Sequence, residues 1–275
     1  MKSKSIFGGI LMFLFYCLPI MAHGDFDELI KELNVEIEND SGNAELFLKR
    51  AVLFLNHNEP KMSIQDLKKC KQLGLNSVEV DLNMAKSYKA LEKYKKGLAI
   101  VDAVLGNNQD HVNALLLKAE LLSDLTEYTK SAMYYETAVE KATVNLPENY
   151  LAAAAAWEKA NNIGQSITVL EKGIADLGEL PVFYLKLKEI AEERNRFREA
   201  VFYQTKLIEI ATRKEKTYYQ RALMFMKNNE LDKAKTDLDT ALELISRLPD
   251  QTQNSPATKE LKQSIEKTIK FYDYN

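Results

Sequence analysis

A chain of 275 residues with 37 basic and 40 acidic side chains has a net charge of −3, which argues against electrostatic capture of nucleic acid or of an anionic membrane. Ten glycines and six prolines leave little turn material for a protein of short strands, so an all-α chain is expected. With 46% hydrophobic residues, this length suits one or two globular domains or an array of small units, which needs no single core.

Residues 1–22 stand apart. Lys2 and Lys4 precede an apolar run from Ile6 to Ile20, and the segment closes on Ala22, a small residue suited to a cleavage site. A basic start followed by an apolar stretch short for a membrane crossing reads as a secretory signal peptide cleaved after Ala22. This predicts a secreted or periplasmic protein with no stable membrane insertion after cleavage; an uncleaved, membrane-anchoring N-terminus is the alternative. Cys17 invites a lipid-attachment reading, but bulky Tyr16 before it is unlike the small residues usual at such sites. Removing the segment leaves Cys70 as the single cysteine, so export implies no disulfide framework.

Asp25 with Glu28 forms a capping box that opens a helix predicted over 25–39, and Leu29, Leu33 and Ile37 then recur every fourth residue. Ser41-Gly42-Asn43 ends it. From Ala44 to Leu248 a single pattern recurs. Small residues Ser63, Gly97, Ser131, Ser166, Ala200 and Ala234 follow one another at a constant step, except that the step from Ser131 to Ser166 is longer by one. Twelve residues before each stand Ala51, Ala85, Ala119, Ala154, Lys188 and Ala222, and three residues after those come Phe54, Tyr88, Leu122, Trp157, Ala191 and Phe225. Small residues where two helix axes approach, with a bulky one beside them, describe a helical hairpin. Such a hairpin cannot bury both apolar faces alone and needs a copy on each side. The segment Thr217–Leu244 spells one out, with the turn-prone Asn228-Asn229 between its two amphipathic helices. Lys188 and Ala191 make the fifth copy the weakest match.

The copies are predicted at about 44–76, 78–110, 112–145, 147–180, 181–214 and 215–248. Pro147 and Pro181 open the fourth and fifth, which suits a first helical turn. Leu29 lies one full step before Ser63, so helix 25–39 is in register as half a copy, an N-terminal cap. Cys70 takes a slot filled elsewhere by Ala138 and Ala241 and is expected to be buried, and the Ala-rich run Leu151–Ala160 with Trp157 is expected in a tightly packed first helix. Polar residues between Leu248 and Ser255 end the array. Ser255 then caps a helix over 255–272 whose Ala257, Leu261, Ile265 and Ile269 form one stripe, a C-terminal cap.

This pattern resembles the tetratricopeptide repeat family, whose signature is a 34-residue period with small residues at the eighth and twentieth places and bulky ones between. Large residues also fall at the seventeenth place, as Tyr94, Tyr128, Ile163, Phe197 and Leu231, where Pro60 departs in the first copy. The resemblance covers six copies and implies a right-handed α-α superhelix, a solenoid, with capping helices at both ends. It also implies a protein or peptide partner in a concave groove lined by the second, fifth, ninth and twelfth places.

The fifth place reads Leu48, Leu82, Leu116, Leu151, Leu185 and Tyr219; the ninth Val52, Lys86, Glu120, Ala155, Glu189 and Leu223; the twelfth Leu55, Lys89, Ser123, Glu158, Glu192 and Met226. Those leucines either anchor a ligand or only pack helix on helix. Glu120, Glu158, Glu189, Glu192 and Glu193 beside the line would suit an extended or helical segment with apolar anchors and some basic residues. The family's chaperone clamp grips a terminal carboxylate with basic and Asn side chains on this surface, whereas the places here hold leucines and mixed residues, so that ligand is not expected.

No motif of an enzyme, a cofactor or a phosphate-binding loop occurs, and no metal site is expected from His23, His57 and His111, which are far apart in register. Cleavage after Ala22 would expose His23 as an N-terminal residue able to hold copper, a minor alternative short of ligands. The related RNA-binding pentatricopeptide arrays, whose period is typically one residue longer, are a second alternative, disfavoured by the single long step, an acidic mature chain and the export signal. The expected function is a non-enzymatic scaffold or adaptor in an exported compartment. Imperfect ends also admit self-association.

Overall fold

In the computed structural model of the chain, residues 19–273 are described, with side chains from 26 to 271. The basic start, most of the apolar run, Cys17 and the side chains of Ala22 and His23 lie outside them.

The described residues form fifteen helices and no strand. In the first unit, up to Lys141, α1 (Pro19–Asn39) precedes three hairpins: α2 (Ala44–Asn56) with α3 (Pro60–Gln72), α4 (Val78–Ala90) with α5 (Tyr94–Asn107), and α6 (Val112–Asp124) with α7 (Tyr128–Lys141). The second unit, from Ala142, holds α8 (Pro147–Lys159) with α9 (Ile163–Leu177), α10 (Pro181–Glu193) with α11 (Phe197–Ile210), and α12 (Glu215–Lys227) with α13 (Leu231–Ser246). A single turn, α14 (Asp250–Gln253), and α15 (Pro256–Asp273) close it. First and second helices alike start at the same steps as the small residues of the sequence pattern. The one extra residue falls between α7 and α8.

Every hairpin turns in the same way. One residue adopts the left-handed region: Asn58, Glu92, Thr126, Asn161, Asn195 and Asn229. The next residue's N–H reaches back to the carbonyl of the bulky slot, as in Glu59 to Phe54 at 2.7 Å and Glu230 to Phe225 at 2.8 Å. This double return of N–H groups satisfies the last carbonyls of the first helix, and Asn tolerates the left-handed region better than most side chains. The fifth copy closes identically, with Arg196 N–H bonded to Ala191 O at 2.9 Å. Its small Ala191 is buried with Ala200, and Met224 from the next copy joins them, filling the volume that a bulky residue supplies elsewhere. Lys188 is only half-buried. Ser63, Ser131, Ser166, Ala200 and Ala234 are fully buried, with Gly97 also inside, as the close approach of paired axes requires. Cys70 is fully buried and donates its thiol to Ala44 O at 3.3 Å.

Neighbouring copies are matched in volume. Phe183 and Tyr150 are fully buried edge to face, with ring centroids 6.0 Å apart, and Gly173 lies against them. A Cβ at Gly173 would come within 2.7 Å of two Phe183 ring atoms. At the same junction elsewhere the partners are Cys70 with Val80 and Val104 with Ala114, and no glycine is needed.

Charge is matched too. Arg50 bonds Asp66 of its own second helix through Nε at 2.7 Å and Nη2 at 2.8 Å, and Asn34 of α1 through Nη1 at 2.6 Å. Arg221 makes the equivalent set with Asp237 at 2.7 and 2.8 Å and with Thr205 at 3.0 Å. Lys118 does so with Asp102 at 2.7 Å and the ring of Tyr134 at 4.3 Å. In every case the cation stands midway in sequence between its two partners, one on the preceding helix and one on the helix that follows, so each staple joins three helices. Where the cation is replaced by Met84, Ala153 or Leu187, the partner slot on the following helix holds Ile100, Val169 or Tyr203.

Two ends depart from expectation. The backbone is helical through Asp25, so the capping box does not open this helix; among the described residues α1 already runs from Pro19. The polar stretch after Leu248 contains α14. Ser255 Oγ does accept from Thr258 N–H at 3.3 Å and starts α15. Ile265 of the α15 stripe is fully buried among Ala241, Leu238 and Ile245, whereas Ala257 is exposed.

Candidate protein-binding site

The first helices present the fifth, ninth and twelfth places unequally. In the first unit Leu48 and Leu82 are only 6% and 8% exposed and serve packing, Leu48 among Val80 and Met84, Leu82 among Leu115 and Leu117. Leu116 is half-buried. In the second unit Leu151 and Tyr219 are half-buried, but Leu185 is 47% exposed and Val182 beside it 40%. Lys86 and Glu189 are exposed, while Val52, Leu55, Lys89, Ser123, Ala155, Glu192, Leu223 and Met226 are half-buried. Helix packing therefore accounts for the first two leucines and not for Leu185.

Three of the five carboxylates expected to await a basic ligand already hold lysines. Glu120 pairs with Lys89 at 2.8 Å, and Asp124 adds a contact at 3.8 Å. Glu158 pairs with Lys186 at 3.1 Å, as does Glu189 at 3.3 Å. Burial pulls Lys89 and Lys186 down, but the hydrogen bonds and charges of these acids outweigh it and hold both above the ordinary lysine range. Burial, with Glu120 and Asp124 nearby, pushes the Tyr135 phenol up to about 12. Among the described residues, Glu192 and Glu193 form no ion pair.

Two depressions flank α12. One, of about 660 Å³, lies between α12 and α15 and is lined by Tyr219, Gln220, Leu223, Leu261 and Ser264. The other, of about 400 Å³, lies between α10 and α12 and includes Glu192, Gln220, Leu223 and Met226. Gln220 and Leu223 face both. The Gln220 amide oxygen accepts from Gln204 Nε2 at 3.3 Å, and the same nitrogen donates to Thr217 O at 2.9 Å. Gln204 is fully buried, its own Oε1 without a partner, in a slot held elsewhere by Leu67, Val101, Tyr135, Leu170 and Leu238. An amide in a slot that is apolar in most copies costs stability, and its nitrogen ties Thr217 O and the Gln220 amide oxygen together. The far wall is fixed by Tyr219 OH with Thr268 Oγ1 at 3.3 Å and by Arg213, which binds buried Glu215 and reaches Thr258 at 3.4 Å.

A third depression, of about 540 Å³, lies in the first unit, with Leu29 and Leu33 of α1 facing Leu48, Val52 and Leu53 of α2. Sequence reasoning missed α1 and α15 as walls, because it treated both only as caps. It also passed over Gln204, whose signal was available as the polar exception in its slot.

Among the described residues no group of three or more His, Cys, Asp or Glu side chains is placed to hold a metal, and no helix is long and apolar enough to cross a membrane. Two histidines have structural tasks. His57 stacks on Phe26 at 3.5 Å between centroids, and His111 Nδ1 accepts from Ala114 N–H at 3.3 Å to cap α6.

Residues 215–247 match the family profile described as tetratricopeptide repeat. No curated protein matches the sequence. Among solved structures, the C-terminal part of a TPR repeat-containing protein from Cytophaga hutchinsonii is 12% identical with a TM-score of 0.64, over 87% of this chain and 95% of that one. A tetratricopeptide repeat protein from Parabacteroides merdae is 15% identical at 0.54, over 90% and 94%. PilW, a type IV pilus biogenesis factor, is 16% identical at 0.57, over 69% and 88%. The chain thus carries a tetratricopeptide repeat at residues 215–247 and has the all-helical fold of arrays of such repeats, which typically mediate protein–protein interactions.

Proposed function

We propose that this protein is a non-enzymatic adaptor in an exported compartment that holds a peptide or helical segment of a partner on the first-helix face of its second unit. The observation carrying this reading is the paired depressions that share Gln220 and Leu223, with Gln220 held from beneath by an amide that the core would otherwise replace with leucine. Apolar Tyr219, Leu223 and Met226 offer anchoring surface, Leu185 extends it along α10, and the Gln220 amide nitrogen is left to donate to a ligand backbone. Export is supported by Lys2, Lys4, the apolar run and Ala22.

A photo-crosslinker at position 185 or 223, compared with one at Phe202 on the second-helix face, tests the site. Adducts to a discrete partner from 185 and 223 only are expected, lost in Gln220→Ala. Equal crosslinking from 202, or adducts indifferent to Gln220→Ala, would refute it. Mass spectrometry of the protein from its native host should give a mature chain starting at His23; an intact Met1 would refute export by cleavage.

A further inference from the structure

The depression in the first unit has an apolar floor and an acidic rim. Leu29, Leu33, Leu48, Val52 and Leu53 form the floor, while Glu32, Glu36, Glu45 and Glu79 stand around it with Lys49. All four glutamates are exposed, and among the described residues none makes an ion pair. That sets them apart from Glu120, Glu158 and Glu189, each of which holds a lysine. Glu45 and Glu79 occupy the first turns of α2 and α4, where the helix dipole favours a carboxylate. No such reason applies to Glu32 and Glu36. They lie one turn apart within α1, where like charges repel, beside a leucine that is 45% exposed. A pair of repelling carboxylates beside exposed Leu29 and half-buried Leu33 and Val52 is relieved by a partner bringing cations and apolar side chains together.

We propose that this depression docks a basic amphipathic helical segment of a partner protein, its apolar face on Leu29, Leu33 and Val52 and its lysines or arginines against the four glutamates. The inference rests on the reading of the array as a protein-binding scaffold, but concerns a different surface from the α12 face. Cleavage after Ala22 would leave the site whole, because every residue in it follows that point.

The test uses the full mature chain and three fluorescent 18-residue peptides: one with leucines on one helical face and lysines on the other, a scramble of that peptide, and its counterpart with glutamate for lysine. Anisotropy titrations are expected to give at least about tenfold tighter binding of the ordered basic peptide than of either control. Substituting Glu32, Glu36, Glu45 and Glu79 together by Gln should weaken it by about tenfold, and Leu29→Asp should do the same. Both variants alter exposed side chains, and an unchanged melting curve establishes that each is folded. Equal binding of the scramble would show adsorption by charge alone and overturn the proposal, as would indifference to the Gln substitutions. Dimerisation of the chain abolished by the same substitutions would assign the surface to a second copy and overturn it too. If no peptide binds while crosslinks from position 185 persist, this inference fails and the function proposed above stands. Loss of those crosslinks with peptide binding intact is the reverse.

Discussion

Gly173→Ala is the most informative single change. Alanine in place of glycine within a helix ordinarily adds about 1 kcal/mol of stability. Here the added methyl would sit 2.7 Å from Cε1 and Cζ of Phe183 and 3.2 Å from Tyr150 Cγ, against rings that are both fully buried. Overpacking of that kind costs about 1–3 kcal/mol, so the usual gain should be cancelled or reversed, leaving a net loss of up to about 2 kcal/mol. Phe183→Val alone opens a cavity and should cost about 2 kcal/mol or more. The double variant imitates the Cys70–Val80 junction of the first unit. In it the new methyl has room, so its loss should fall short of the sum of the singles by about 2 kcal/mol. Urea denaturation followed by far-UV circular dichroism measures all four corners of the cycle. A Gly173→Ala protein that is more stable than the parent by the ordinary helical gain of about 1 kcal/mol, or a strictly additive cycle, would refute the argument that ring volume dictates the glycine.

Arg221→Met leaves Asp237, only 4% exposed, charged and without its guanidinium, and should cost about 3 kcal/mol in the same assay. Adding Asp237→Ile, which copies Met84 with Ile100, should recover most of it. Thr126 is β-branched in the left-handed region at φ 62°, so Thr126→Asn, the residue found in four of the six turns, should raise stability by about 1 kcal/mol. Burial pushes the Cys70 thiol up to about 11 from an ordinary value near 9.0, with Asp66 adding to it. A raised folded value means the contribution is complete below pH 9 and is lost as pH climbs towards 11, so stability should fall across that window and fall less in Cys70→Ala. The native thiol should also resist aromatic disulfide reagents at pH 8 until the chain is unfolded.

The helices were legible because each copy repeats the same constraint. A small residue at a close approach cannot be exchanged without moving an axis, so Ser63 to Ala234 mark the register by themselves. The left-handed turns were half visible, as Asn at four of them. Less legible was what depends on pairs: the volume match of Gly173 with Phe183, or the staple from Arg221 to Asp237, emerges only when residues on different helices are known to touch. The same gap affected the binding surface. A line of leucines reads alike whether each is covered or bare, and the neighbour that covers Leu48 or leaves Leu185 open is set by three-dimensional packing. The pairing of the acids was hidden for the same reason, because Lys89 and Lys186 reach Glu120 and Glu158 from neighbouring helices.

The cation at the seventh place of the first, third and sixth copies, and the hydrocarbon at the others, has an implication for how such a chain can change. The junctions at Arg50, Lys118 and Arg221 each carry their own lock, cut to fit one neighbour, so hairpins of equal length and outline are not interchangeable parts. Transplanting the sixth hairpin behind the second would set Arg221 beneath Asp102 in place of Thr205, trading a hydroxyl for a second carboxylate, while Tyr218 would meet surroundings built for Leu115. The order of the copies is thereby written into the seams between them, and drift at one seam can proceed only by coordinated exchange on both sides.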